Sequence, residues 1–206
     1  TGDDGKAVLK NLPLGKYKVV EVEAPYGYVL NQEAQYVTFA YVDDHTPVIY
    51  ETAEFTNDRQ KLSLSVEKKD SETDELISGA VFGLYADEDI RNVDGKVIIE
   101  AGTLLETAVS DENGIVSFTK DYPFARYYAK EMETPAGYVT NEEVIAFDAQ
   151  YQGQDIRVAK YSSLFLNTPT TFEFSKEDIT SGAELSGATL CVIDKDGNVI
   201  ETWTSV

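Results

Sequence analysis

The chain has 206 residues, and its 42% apolar content is enough for two small cores and too much for a disordered tail. A net charge of −20 repels nucleic acid and anionic membrane, so neither is expected as a partner. One cysteine excludes a disulfide framework, one histidine excludes a His-based metal site or relay, and no apolar run approaches the roughly 20 residues that span a bilayer.

Read in order, residues 1–58 open on an Asp4-Gly5 turn and continue through Leu12-Pro-Leu-Gly15 into Tyr17-Lys-Val-Val-Glu21-Val-Glu-Ala-Pro25-Tyr-Gly27-Tyr28. A V-x-N step then ends at Asn31, and a last apolar segment carries Phe55 and Asn57. Residues 59–170 begin with an alternating stretch, Leu62, Leu64, Val66 and Lys68, followed by Asp70 and Ile77-Ser-Gly79-Ala80. Next come an insertion near 86–102 around Asp94-Gly95, a turn at Asn113-Gly114, and a second copy of the Tyr-x-x-x-Glu stretch. That copy runs Tyr127-Tyr-Ala-Lys-Glu131-Met-Glu-Thr-Pro135-Ala-Gly137-Tyr138, then V-x-N to Asn141, and ends in Phe165 and Asn167. Residues 171–206 repeat the opening stretch as Phe174-Ser-Lys176-Glu-Asp178 and Leu185-Ser-Gly187-Ala188.

Glu21 returns at Glu131, 110 residues on, and Lys68 returns at Lys176, 108 on. Such long periods mean tandem modules. The order is closing half, opening half, closing half, opening half, so residues 59–170 form one complete module, 1–58 the C-terminal part of another and 171–206 the N-terminal part of a further one. Thr1-Gly-Asp-Asp4-Gly5 resembles Ser110-Asp111-Glu112-Asn113-Gly114, and Glu201-Thr-Trp203 resembles Glu106-Thr-Ala108. Joining 206 to 1 would therefore give a second module in phase, and the parent chain or assembly is expected to continue head to tail. Abundant Val, Ile, Thr, Tyr and Phe, punctuated by Asp-Gly and Asn-Gly turns, predict an all-β fold of tandem antiparallel β-sandwich (Ig-like) modules. Asp194-Lys-Asp196-Gly-Asn198 reads as a hairpin turn rather than a calcium loop, and Cys191 as a core position.

Parity locates the chemistry. Lys68 shares a face with Leu62, Leu64 and Val66; Lys176 with Phe172 and Phe174; Glu131 with Tyr127 and Ala129; Glu21 with Tyr17 and Val19. Asn167 and Asn57 share faces with Phe165 and Phe55. Lone charges in an apolar core are strongly unfavourable, so these groups must meet. Burial favours a neutral amine beside a protonated acid, which is poised to attack a carboxamide. The product is a Lys–Asn isopeptide bond with loss of ammonia. The uncatalysed alternative is a buried Lys–Glu ion pair with Asn as a neighbour. Lys69 is turned outward by parity, and Glu23 and Glu133 are placed at the solvated rim.

The ordered motifs Lys-x-Asp…Leu/Ile-x-Gly-Ala, Leu-Pro-x-Gly-x-Tyr-x-x-x-Glu-x-x-Ala-Pro-x-Gly-Tyr and Phe-x-Asn resemble the prealbumin-like, collagen-adhesin B-type (SpaA-like) modules of Gram-positive pilins and surface adhesins. The resemblance implies an isopeptide between Lys68 and Asn167 with Glu131 catalytic. It also implies half-sites at Lys176 and at Asn57 with Glu21, whose partners come from a neighbouring copy or flanking sequence. Tyr122, Ala125 and Thr134 depart from the pattern, in turns beside the Glu box. The implied role is a structural stalk of a surface fibre, pilus or adhesin, extracellular and cell-wall-associated, with no cofactor, no metal and no turnover. Its expected partners are neighbouring modules or copies of itself, head to tail. The alternative is an adhesin module that binds a host matrix protein or glycan.

Overall fold

Period-two burial governs the chain: along Lys61–Asp70 alternate side chains from Leu62 to Asp70 are buried. The computed structural model describes residues 2, 4–46 and 48–206; Thr1 and Asp3 of the opening turn match lie outside them. In chain order the strands are β1 Gly15–Val19, β2 Gln35–Phe39, β3 Lys61–Asp70, β4 Val81–Ala86, β5 Ile90–Arg91, β6 Val97–Ile99, β7 Leu104–Val109, β8 Ile115–Phe118, β9 Ala125–Glu133, β10 Val144–Ala149, β11 Val158–Asn167, β12 Thr189–Ile193 and β13 Val199–Thr204. The described residues contain no helix. The chain divides after Pro169 into two units.

In the first unit, sheets β10-β9-β4-β7 and β11-β3-β8 face each other as a sandwich. Its core joins Leu64 and Val66 of β3, Phe82 and Leu84 of β4, Tyr127 of β9 and Phe165 of β11. The Phe82 and Phe165 rings meet edge to face at 5.0 Å. Pairing is antiparallel except between β3 and β11, which run parallel in register for ten residues, Val158 opposite Lys61 and Asn167 opposite Asp70. The chain therefore enters this module at one pole and leaves it at the other. Residues 86–102 carry the β5–β6 hairpin. Gly114 turns the chain into β8 at φ 68°, where an added Cβ would lie 2.7 Å from the Lys68 carbonyl oxygen. Only glycine fits there.

The β1–β2 pair precedes this module, and a dense polar joint connects the two. Gln60 is buried, donates to the carbonyls of Gly153 (2.9 Å) and Ile156 (2.6 Å), and accepts from the Gln152 amide (2.9 Å). Gln154 accepts from the amides of Ala24 and Leu30, and Tyr26 packs on Tyr151 and Phe124. Removing the Gln60 amide strands three backbone groups. Gln60→Ala should cost roughly 2–4 kcal/mol at the joint, read as faster amide exchange at Gln152 and Leu30 with exchange in β3 unchanged.

The second unit holds the β12–β13 hairpin. Residues 171–176, expected as an opening strand, form none; the only bridge there is Glu177 with Glu184. In the first unit the equivalent strand β3 is held between β11 and β8, and residues 171–176 have no such flanking pair among the described residues. Cys191 is exposed, a correction to its expected core position. Leu190 and Val192 take the packed face of β12, and the residue between them is turned away.

Candidate functional site

Three polar side chains converge in the core of the complete module. Lys68, Glu131 and Asn167 are at most 2% exposed. β3 places Lys68 opposite Phe165, and Asn167 is the next residue of β11 on the same inward face. That offset of two parallel-strand residues is roughly 6.6 Å, within reach of a four-carbon lysine stem. β9 contributes Glu131 from the opposite sheet. The Asn167 Nδ2 donates to Glu131 Oε2 at 2.9 Å and to the Val139 carbonyl at 3.0 Å. The Lys68 ammonium has one long contact, 3.5 Å to the Phe165 carbonyl, and lies 5.3 Å from that residue's ring centre.

Burial lowers the Lys68 pKa, opposed by the carboxylates of Glu131 and then Asp70. Asp70 is itself held low by the backbone amides of Glu72 and Thr73, which its Oδ1 accepts at 2.7 and 3.0 Å. Glu131 Oε1 and Asn167 Oδ1 are buried with no hydrogen-bond partner. Two bare acceptors and a poorly satisfied amine enclosed in the same core make an arrangement that is costly as it stands. Transfer of the amine's proton to Glu131 would supply the missing donor and leave a neutral nucleophile.

The half-site in residues 2–58 repeats this geometry. Asn57 Nδ2 donates to Glu21 Oε2 at 2.6 Å and to the Val29 carbonyl at 2.9 Å, the positions 110 residues before Asn167, Glu131 and Val139. Asn31 and Asn141 of the V-x-N step each donate from Nδ2 at 2.9 Å to the last segment, at the carbonyls of Thr56 and Leu166. Lys176 is exposed in the second unit, a correction to the inward orientation that parity gave it: residues 171–176 form no strand that would aim it at a core.

The model of the family described as SpaA, prealbumin-like fold domain, matches residues 1–53 and 62–162. The chain belongs to this family. Among solved structures, the Bacillus anthracis TIE protein is 27% identical with a TM-score of 0.61, over 99% of this chain and 35% of that one. The present chain thus spans about a third of that protein's length. More distant are the C-terminal domain of the shaft pilin spaA from Lactobacillus rhamnosus GG (20% identity, TM-score 0.36, 54% of this chain and 100% of that one) and the major pilin SpaD from Corynebacterium diphtheriae (18%, 0.41, 53% and 30%). No curated protein matches the chain.

Within this SpaA-family module, three residues near the site were not singled out by sequence reasoning. Thr134 was read as a turn variant, yet its hydroxyl donates to Glu131 Oε2 at 2.8 Å. The first copy has Ala24 there, and its Glu21 Oε2 takes the Asn31 amide instead, at 2.7 Å. The departure from pattern was the available signal. Met132 is bulged out of the β4–β9 ladder, since Val81 pairs with Glu133 and Phe82 with Glu131. The bulge ends the alternation, so Glu131 points inward and Glu133 is exposed. Asp70, quoted only as part of a motif, adds a second carboxylate to the field at Lys68. Lys69 pairs with Glu67 at 3.3 Å on the outer face. Among the described residues no group of His, Cys, Asp or Glu could hold a metal, and no helix is long and apolar enough to cross a membrane.

Proposed function

We propose that the chain is a segment of the structural stalk of a Gram-positive surface fibre, pilus or adhesin, locked by an autocatalytic bond between Lys68 and Asn167. Convergence of a poorly satisfied buried amine with two unpartnered buried acceptors carries this reading. The steps balance without a cofactor. Lys68 passes a proton to Glu131, and the neutral Nζ attacks Cγ of Asn167. The attacking nitrogen gives up its second proton to Nδ2, relayed by Glu131, which is already hydrogen-bonded there; the Cγ–Nδ2 bond then breaks, and the departing ammonia takes the proton first held by Glu131 and leaves as ammonium. Fixed proximity in a dry core supplies most of the acceleration. Glu131 acts once per module, so there is no turnover.

Thr134 orients the acid and takes no part in bond making. Thr134→Ala should slow bond formation several-fold in freshly refolded chain while leaving the final mass unchanged. A time course of intact masses reads this directly.

Parallel first and last strands with exits at opposite poles support the stalk role, because tension entering at β3 crosses to β11 through the bond. Family membership supports an extracellular, cell-wall-associated location and polymerisation with further modules of the same kind. The rival adhesin reading rests on the 86–102 hairpin, where Val93 is fully exposed. Binding assays against matrix proteins and glycan arrays, with and without that hairpin, separate the two. The stalk reading expects no saturable binding by either form; binding lost with the hairpin would favour the adhesin.

A further inference from the structure

One loop covers the site of the complete module. Residues 134–141 leave the end of β9 at the pole where Lys68, Glu131 and Asn167 are at most 2% exposed. Pro135-Ala-Gly137-Tyr138 makes the turn: Gly137 takes φ 92°, and the Tyr138 amide donates to the Pro135 carbonyl at 3.3 Å. The loop then follows the end of β11. Tyr138 bridges with Pro169, the Val139 amide donates to the Thr168 carbonyl at 2.9 Å, and the Val139 carbonyl accepts from Asn167 Nδ2 at 3.0 Å.

Those contacts run to β11 and its continuation. One side chain carries the loop across to β3. The half-buried Tyr138 donates its phenol proton to the carboxylate of Asp70, two residues beyond Lys68 and opposite Asn167 in the strand register. Asp70 is fixed in turn by the amides of Glu72 and Thr73. Burial, and then the Asp70 carboxylate, raise the Tyr138 phenol, so it stays a neutral donor. The strap therefore crosses from the β9 side of the sandwich to the β3 side, over the three polar groups.

The need for a cover is chemical. A carboxamide held ready for an amine is equally open to water. In a wet site a water molecule would give a proton to Glu131 while its oxygen attacked Cγ of Asn167. The Cγ–Nδ2 bond would break, ammonia would leave, and position 167 would carry a carboxylic acid. Lys68 would then have no carboxamide to attack.

We infer that Tyr138 guards this reaction: by tying the 134–141 loop to Asp70 it shuts water out and commits Asn167 to the Lys68 amine instead of to hydrolysis. The inference rests on the isopeptide reading proposed above. Tyr138 makes no bond in the reaction; it positions the cover. Thr134 is the contrast, because its hydroxyl bonds Glu131 and its loss leaves the strap to Asp70 in place.

The test is a product ratio, read on the purified 206-residue chain by intact mass and by peptide mapping across position 167. The native chain should be wholly linked and about 17 Da light for one ammonia. Tyr138→Ala should divide between that product and a chain about 1 Da heavy, with a hydrolysed carboxamide at position 167 and a free Lys68. Tyr138→Phe keeps the ring and so does not threaten folding; it should give the same heavy product in a smaller share. Thr134→Ala should give none. A merely structural role would lower the melting temperature of the tyrosine variants without hydrolysis at position 167. Both tyrosine variants wholly linked, or unlinked with Asn167 intact, would overturn the guard role while the native mass loss still upheld the isopeptide reading. A native chain of full mass would overturn that reading, and the guard role with it.

Discussion

Replacing Lys68 by Met should destabilise the complete module by about 4–5 kcal/mol, the chain-entropy value for cross-linking a loop of this length. The proposed bond would enclose the 99 steps from Lys68 to Asn167. For a module of this size that loss lowers the melting temperature by roughly 15–30 °C. The substitution also discriminates. If Lys68 and Glu131 formed only an ion pair, a well-packed methionine would be neutral or stabilising, because burying both charges costs about as much as their attraction returns. Asn167→Ala should lose the same cross-link and in addition leave a free buried amine. Burial lowers the pKa of that amine in the fold, so between the folded value and the ordinary lysine range near 10.4 the unfolded chain binds more protons. The stability of Asn167→Ala should therefore rise with pH across that window and be lowest below it. The linked protein, with no amine to titrate there, should lack this slope. Chemical denaturation of the three proteins from neutral pH to pH 10 measures both effects.

Under tension the difference becomes one of length. With the proposed bond in place, a force applied across the complete module would run up β3 to Lys68 and leave through Asn167, and the chain between them would not be stretched. Asn167→Ala releases those 99 steps, about 330–360 Å of contour at full extension. Single-molecule pulling should therefore show an unfolding step of that size for the variant and none for the linked module. Equal steps in both would mean that the force does not cross at Lys68 and Asn167.

The sequence was most legible where a pattern repeats at fixed spacing. Alternation along β3, β9 and β11 placed Lys68, Glu131 and Asn167 inward, and the burial of all three follows from the same parity. Parity carries no strand direction, so the parallel pairing of β3 with β11, which sets the force path, came only from the structure. Alternation also treats every second residue alike. It could not see the bulge at Met132 that turns Glu133 outward, nor decide that Leu190 and Val192 rather than Cys191 take the packed face. Gln60 was missed because a single glutamine in a linker has no pattern; its importance depends on three backbone groups about 90 residues away. Lys176 shows the limit from the other side. Its motif is intact, yet a strand needs neighbours, and residues 171–176 form none among the described residues.

Peptide mapping by tandem mass spectrometry after digestion of the purified chain tests the central claim most directly. The account predicts one branched peptide joining Lys68 to Asn167, lighter by one ammonia than its two arms together, and its loss in Glu131→Ala. Recovery of both peptides as separate, full-mass species from the native chain would contradict it.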